Sequence, residues 1–190
     1  MNIDVPLRLL GPVDYVPLQL AIEKASEEQW LENQYRQRKF EVHYQTQSLV
    51  MYFLESERWP EIKVNREPGY ELLAEAAQPL MDKIIQDHYE PGGVIIRAMA
   101  AKLLPDGIIK PHVDKHASFE FSHRIHIPIV TNPKVRFMIN GRPNQFQVGN
   151  AYEINNQQQH SVMNKGAEAR TTFIFDYVPP SQMHKFTLVA

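Results

Sequence analysis

Three side chains that can bind a metal ion stand in the C-terminal half of the sequence. His112 and Asp114 are separated by one residue, so both point to the same face if they lie in a strand. His160 could join them from a distant strand. Two histidines and one carboxylate on one side of an Fe(II) ion leave three positions open for a co-substrate and O2. The spacing therefore favours a non-haem iron oxygenase.

A His-x-Asp pair alone is weak evidence for a metal site, because such pairs also occur by chance on protein surfaces. Arg170 strengthens the interpretation. It begins a predicted strand whose next residues, 171–175, are largely apolar, and a guanidinium buried there needs an anion. The carboxylate of a co-substrate could supply that anion through two parallel hydrogen bonds. The alternative is an internal salt bridge, for example to Glu153 or Asp176.

Arg124 and His126 form a second polar pair on one face of a predicted strand. The pair could be structural, but a site for a carboxylate is an equally good interpretation. His126 is also a rival candidate for metal ligand, because its spacing from His112 does not exclude that role. The choice between these roles depends on geometry.

Composition narrows the classes of function. The chain has 190 residues, 43% hydrophobic residues, a net charge of −2 and no cysteine. These values predict one domain over residues 1–190, give no basic field for nucleic acid, and exclude thiolate metal sites. The first residues lack the features of a signal peptide, and no apolar run approaches the roughly 20 residues that span a bilayer. We therefore expect a cytoplasmic protein without a membrane or nucleic-acid partner.

Hydrophobic periodicity predicts helices in the N-terminal part and strands after it. The first helix is predicted over residues 16–33, and the second over residues 71–88, where Pro79 should kink it or start a new helix. Asn140-Gly141 is typical of a tight β-hairpin. Predicted strands cover residues 40–54, 94–104, 108–114, 124–130, 135–139, 145–148, 151–154, 161–164 and 170–177. Many short strands separated by Gly, Asn and Pro turns indicate a sandwich or a barrel, and the tail after Tyr177 is expected to be peripheral.

The region from His112 to Asp176 resembles the aspartyl/asparaginyl β-hydroxylase-type domain of the Fe(II)/2-oxoglutarate-dependent oxygenases, and it is similar to the bacterial proline hydroxylases in that group. This region covers about a third of the chain, and the matching segments lie within it or at its edge. They are Pro111-His112-Val113-Asp114, His123-Arg124-Ile125-His126-Ile127-Pro128, Val135 to Gly141, Gly149 to Asn156, His160 to Asn164, and Arg170 to Asp176.

The resemblance implies a mainly β fold with N-terminal helices, a double-stranded β-helix of the jelly-roll or cupin-like type. Residues 1–90 would give helical support and flanking strands, and residues 91–178 the β-helix core. His112, Asp114 and His160 would bind Fe(II), and Arg170 would hold the distal carboxylate of 2-oxoglutarate. Arg124 and His126 would line the co-substrate site near its metal-chelating end. The implied reaction uses O2 and 2-oxoglutarate to hydroxylate an unactivated C–H, with succinate and CO2 as co-products.

Two departures from the family pattern are visible in the sequence. Asp114 stands where the animal members have glycine, which favours the bacterial branch and a proline-like or other small amino acid as substrate. The family's serine contact to the distal carboxylate should fall near Ala101-Lys102, where there is no serine, and Lys102 is the candidate replacement.

Other functions stay open at this stage. They are hydroxylation of an Asp, Asn or Pro residue in a peptide or protein, a non-oxidative cupin-type metal enzyme, and a binding module. Substrate choice is expected to depend on residues 44–46, the loop over residues 115–122, and Arg97 or Arg142.

Overall fold

The computed structural model describes residues 3–32 and 45–189. Three α-helices in these residues are α1 (Val16–Glu23), α2 (Glu27–Glu32) and α3 (Gly69–His88). The strands are β1 (Leu7–Pro12), β2 (Thr46–Glu55), β3 (Glu61–Arg66), β4 (Val94–Leu103), β5 (Ile108–His112), β6 (His123–Val130), β7 (Val135–Ile139), β8 (Arg142–Asn144), β9 (Asn150–Ile154), β10 (His160–Asn164), β11 (Arg170–Val178) and β12 (Thr187–Leu188). Short 3₁₀ turns cover Ala117–Glu120 and Pro180–Lys185.

The strands form two sheets. The larger sheet has eight strands in the order β1-β9-β6-β11-β4-β2-β3-β12, and the smaller has the order β5-β10-β7-β8. Every pairing is antiparallel except that of β12 with β3. The mainly β architecture with preceding helices therefore agrees with the prediction.

Alternation along the central strands gives the larger sheet two different faces. The outer face packs on the helices: Ile125, Ile127, Phe173 and Phe175 share a core with residues of α1 and α3. The inner face packs on the smaller sheet, and this second core contains Leu103, Phe137, Ile139, Ile154 and Val162. The space between the sheets thus contains an apolar cluster, and the polar side chains of Arg170 and His126 lie beside its Phe137 ring.

The first helix differs from the prediction. The single helix expected over residues 16–33 is two helices, because Ser26 caps α2: its hydroxyl accepts from the Gln29 N–H at 3.3 Å, and Gln29 Oε1 accepts from the Ser26 N–H at 2.9 Å. No new helix starts at Pro79, which lies inside α3 and is exposed like Glu75, so water can bind the carbonyl that Pro79 leaves unpaired. Asn33 lies outside the described residues.

Several strand predictions also need correction. Residues 145–148 form no strand, and β8 at Arg142–Asn144 closes the hairpin instead, with Asn140 and Gly141 both at positive φ as a type I′ turn requires. Strand β3 was not predicted. The C-terminal tail is not peripheral, because Phe186 is buried and β12 pairs with β3. Residues 40–44 of the strand predicted over residues 40–54 lie outside the described residues.

No helix within residues 3–32 and 45–189 is both long enough and apolar enough to cross a bilayer.

Candidate metal centre

The ends of two neighbouring strands bring the predicted metal ligands together. His112 ends β5 and His160 begins β10, and the two residues are direct partners across the antiparallel pair, with ring centroids 4.4 Å apart. Strand β5 ends at His112, two residues earlier than predicted, so Asp114 lies in the loop that follows it. Its backbone N–H donates to the Asn156 carbonyl at 3.2 Å, and Gln157 Nε2 donates to its carbonyl at 3.0 Å.

The three side chains face one another at distances suited to a shared ion. Asp114 Oδ1 is 3.7 Å from His112 Nε2, and Asp114 Oδ2 is 3.9 Å from His160 Nε2. One ligand atom from each residue lies within 4.8 Å of the other two. His126 is not part of this group, so the described geometry favours His112, Asp114 and His160 over the alternative with His126.

Backbone carbonyls fix the orientation of both histidines. His112 Nδ1 donates to the Lys110 carbonyl at 2.8 Å, and His160 Nδ1 donates to the Gln158 carbonyl at 2.9 Å. With the proton on Nδ1, the lone pair of each ring is on Nε2, which points at Asp114. Burial lowers the pKa of His160, which keeps that ring neutral and able to bind a metal. Two imidazole nitrogens and one carboxylate oxygen are a donor set that fits non-haem Fe(II).

Arg124 is bonded to the metal-site carboxylate. Its Nη1 donates to Asp114 Oδ2 at 2.7 Å, while Nε and Nη2 donate to the two oxygens of Asp176 at 2.8 and 2.9 Å. Within residues 3–32 and 45–189, three of the five guanidinium N–H groups are engaged, and the other two have no hydrogen bond to a described residue. The prediction that Arg124 also contacts the co-substrate stays a prediction.

Arg97 and Phe119 complete the surroundings of this ion pair. Arg97 donates to Asp176 at 3.2 Å and to Ser118 Oγ at 2.9 Å. The Phe119 ring lies 4.4 Å from the guanidinium carbon of Arg97 and of Arg124. Arg97 is therefore held by protein groups, and Arg142, the other arginine considered for substrate binding, is exposed on the β7–β8 hairpin.

His126 is a buried histidine without a hydrogen-bond partner in the part of the chain that the structure describes. It is 5% exposed, and neither ring nitrogen is paired. Its ring lies 5.8 Å from Phe137 and 6.1 Å from Phe146. Burial and the nearby charges of Arg124 and Arg170 hold its pKa well below the ordinary value, so the ring is neutral. It can accept or donate one hydrogen bond to a ligand.

Arg170 begins β11 and is a buried cation without a counter-ion among the described residues. It is 5% exposed, and its guanidinium carbon lies 6.0 Å from the centre of the Phe137 ring. The predicted alternative of an internal salt bridge is not formed: Glu153 bonds to His123 and Arg8, and Asp176 bonds to Arg97 and Arg124. Burial lowers the Arg170 pKa to about 10, so the group is still charged at neutral pH.

Two hydroxyls on the same face as Arg170 were missed from the sequence. Thr172 lies two residues after Arg170, and it pairs with Ala101, which pairs in turn with Ser48 on β2. Both hydroxyls are buried and have no hydrogen-bond partner in residues 3–32 and 45–189. The small Ala101 side chain lies between them. The i, i+2 spacing of Arg170 and Thr172 could have suggested Thr172, but Ser48 depends on the register of two strand pairs.

Lys102, the residue considered as a replacement for the family serine, lies on the other face of the sheet. Its ammonium is 3.7 Å from the centre of the Trp30 ring of α2, and Trp30 belongs to the core between the sheet and the helices. Alternation along β4 places Lys102 opposite to Ala101 and Leu103. Lys102 is therefore directed away from Arg170.

The chain is similar to a known protein family and to solved structures. The family model described as aspartyl/asparaginyl beta-hydroxylase matches residues 22–180. A search of the curated proteins finds no match. Among solved structures, an oxidoreductase of the 2OG-Fe(II) oxygenase family from Burkholderia pseudomallei is similar at a TM-score of 0.60 and 15% identity, over 97% of this chain and 89% of that one.

A second solved structure is a non-heme monooxygenase, ThoJ, in complex with nickel. Its TM-score is 0.53 at 10% identity, over 92% of this chain and 74% of that one. At such low identities the two likenesses establish the fold. The predicted jelly-roll, cupin-like architecture is thereby confirmed.

Proposed function

Because the chain belongs to the aspartyl/asparaginyl β-hydroxylase family, we propose that it is an Fe(II)/2-oxoglutarate-dependent oxygenase that hydroxylates an unactivated C–H of a proline-like or other small amino acid. The observation that carries this proposal is the combination of a His-Asp-His metal-ligand group with a buried arginine that has no counter-ion among the described residues. The first suits Fe(II), and the second suits a carboxylate that arrives with a ligand.

The metal end of the site is supplied by His112, Asp114 and His160. When bound, iron and 2-oxoglutarate supply the oxidising chemistry, in which O2 is consumed, succinate and CO2 are formed, and one oxygen atom enters the substrate. The three side chains would hold the ion, and the protein leaves the remaining coordination positions for other ligands. The carbonyls of Lys110 and Gln158 keep the two Nε2 atoms directed at Asp114, where the ion would bind.

The co-substrate carboxylate far from the metal is assigned to Arg170, which would form two parallel hydrogen bonds to it. The unpaired hydroxyls of Thr172 and Ser48 are available to bond the same carboxylate in place of the family serine. His126 and the two remaining N–H groups of Arg124 are available near the other end of the co-substrate. Ser48, Thr172 and His126 are buried, and their polar side-chain atoms have no hydrogen-bond partner in residues 3–32 and 45–189, so binding of the co-substrate would satisfy them.

The apolar residues between the two sheets have a separate role. Leu103, Phe137, Ile139, Ile154 and Val162 form a buried cluster beside Arg170 and His126. Such a wall excludes water and strengthens the attraction between the guanidinium and a carboxylate.

The choice of a small amino acid as substrate rests on the Asp114-containing motif, which is like that of the bacterial members. A screen tests it: the Fe(II)-loaded protein is incubated with 2-oxoglutarate and single amino acids, starting with proline, and succinate and hydroxylated product are measured together. Stoichiometric formation of both with a free amino acid supports the proposal. Turnover only with peptides would move the substrate class to peptidyl residues.

Replacement of Thr172 by valine tests the hydroxyl contact. The change keeps the shape of the side chain and removes one hydrogen bond to a charged carboxylate, so we expect the Kd for 2-oxoglutarate to rise roughly tenfold. Titration of the metal-loaded protein with 2-oxoglutarate measures it. Thr171→Val is the matched control, since Thr171 is equally buried but lies on the opposite face, and its Kd should not change. Equal effects of the two variants would remove Thr172 from the site.

A further inference from the structure

Two arginines and two aspartates form a largely buried cluster that includes the metal-site carboxylate of Asp114. Asp176 is fully buried on β11 and accepts from Arg124 through both oxygens and from Arg97 through one. Arg124 also donates from Nη1 to Asp114 Oδ2 at 2.7 Å. The four side chains together have no net charge, so each buried ion has a partner of opposite charge within the cluster.

The pattern of donors decides how Asp114 is held. Arg124 uses one edge, Nε and Nη2, for a two-point contact with Asp176, which fixes the plane of the guanidinium. Its Nη1 then donates to Asp114 Oδ2. In this orientation of the carboxylate, Asp114 Oδ1 faces His112 Nε2 at 3.7 Å. A lysine at position 124 could not hold both carboxylates in this way, since an ammonium has no planar, two-edged geometry.

The cluster extends to the loop that follows Asp114. Arg97 donates from one terminal nitrogen to Asp176 and from the other to Ser118, which is fully buried. Phe119 lies against both guanidinium groups at 4.4 Å. The backbone on the C-terminal side of Asp114 is thus tied to the same cluster as its side chain.

We propose that Asp176, with Arg97, is a positioning residue for the metal centre: it fixes Arg124, and Arg124 fixes Asp114 in the orientation that a metal ion needs. This inference rests on the proposed metal site, and it gives Arg124 a second function beside any contact with the co-substrate. It also accounts for two charged residues, Arg97 and Asp176, that have no contact with the three ligand atoms themselves.

Asp176→Asn is the variant that tests this role. It keeps the size of the side chain but leaves two arginines beside one aspartate, so the net charge of the cluster becomes +1. Arg124 loses its two-point contact, and Asp114 is drawn to the unpaired cations. We expect the Kd for a divalent ion to rise about tenfold to a hundredfold, as for other groups that orient metal ligands.

Co(II) is the probe, because its visible absorption bands report both the amount and the geometry of the bound ion. Wild type, Asp176→Asn and Glu153→Gln are each titrated, and their melting temperatures are recorded. Glu153 is an equally buried carboxylate of the same sheet that bonds to His123 on the other face. Glu153→Gln should therefore lose stability without a change in Co(II) affinity or spectrum.

These measurements test the positioning role of Asp176 separately from the metal site. A higher Kd and a changed spectrum in Asp176→Asn, but not in Glu153→Gln, support the positioning role. Wild-type affinity and spectrum in Asp176→Asn would overturn it and leave the metal site intact, whereas absence of Co(II) binding by the wild-type protein would overturn the metal site itself. If Asp176→Asn does not fold, Arg124→Lys replaces it, with the same expected increase in Kd and the same contrary result.

Discussion

Arg170→Met is expected to raise the Kd for 2-oxoglutarate by about a hundredfold or more, because it removes the only charge assigned to the distal carboxylate while keeping the length of the side chain. Metal affinity should not change, since Arg170 is not among the ligand group. The measurement is a titration of the metal-loaded variant with 2-oxoglutarate, with Arg142→Met, an exposed arginine, as control.

The stability of the same variant distinguishes a ligand site from a structural ion pair. Arg170 is buried without a counter-ion among the described residues, so its replacement by an apolar side chain should leave the melting temperature of the ligand-free protein unchanged or higher. The increase in melting temperature that 2-oxoglutarate gives the wild-type protein should be lost. A marked fall in ligand-free stability together with unaltered 2-oxoglutarate affinity would show that Arg170 has a structural role instead.

Asp114→Ala is expected to weaken Fe(II) binding by about a hundredfold and to abolish turnover. The change removes one of three ligands and leaves Arg124 Nη1 without its partner, which places an unpaired positive charge beside the ion. Metal content after anaerobic loading and succinate formation measure the two effects. Asp87→Ala, in an exposed helical ion pair with Lys83, should change neither. Unchanged metal content and activity in Asp114→Ala would refute the ligand assignment.

The proximity of His112, Asp114 and His160 agrees with the grouping expected from the sequence, and part of its signal is local. His112 and Asp114 are two residues apart, whereas the resemblance to a known family was needed to prefer His160 to His126 as their partner. The strand pattern after Gly93 indicated a sandwich or a barrel, and the resemblance to a known family narrowed this to the jelly roll. The split of the first helix also has a local signal, since Ser26 and Gln29 have the spacing of a capping box, but the apolar periodicity runs across this position and predicts one helix.

The surroundings of the ligands could not be predicted in the same way, because they depend on contacts between distant strands. Asp176 is the partner of Arg124 in the β6–β11 pair. Ser48 and Thr172 lie on the same face because both are partners of Ala101 on β4, the strand between them. A shift of one residue in either pairing would move these side chains to the other face. For the same reason the sequence could not exclude Lys102, which the register places against Trp30 and not beside Arg170.

Anaerobic visible spectroscopy tests whether one site binds both Fe(II) and 2-oxoglutarate. The purified protein is loaded with Fe(II), 2-oxoglutarate is added, and the weak charge-transfer band of an iron-chelated 2-oxo acid is recorded for wild type, His160→Ala and Arg170→Ala. We expect the band in the wild-type protein and its loss in both variants under the same conditions. Iron binding without a band at any 2-oxoglutarate concentration would contradict the proposal and favour a metal enzyme that does not use this co-substrate.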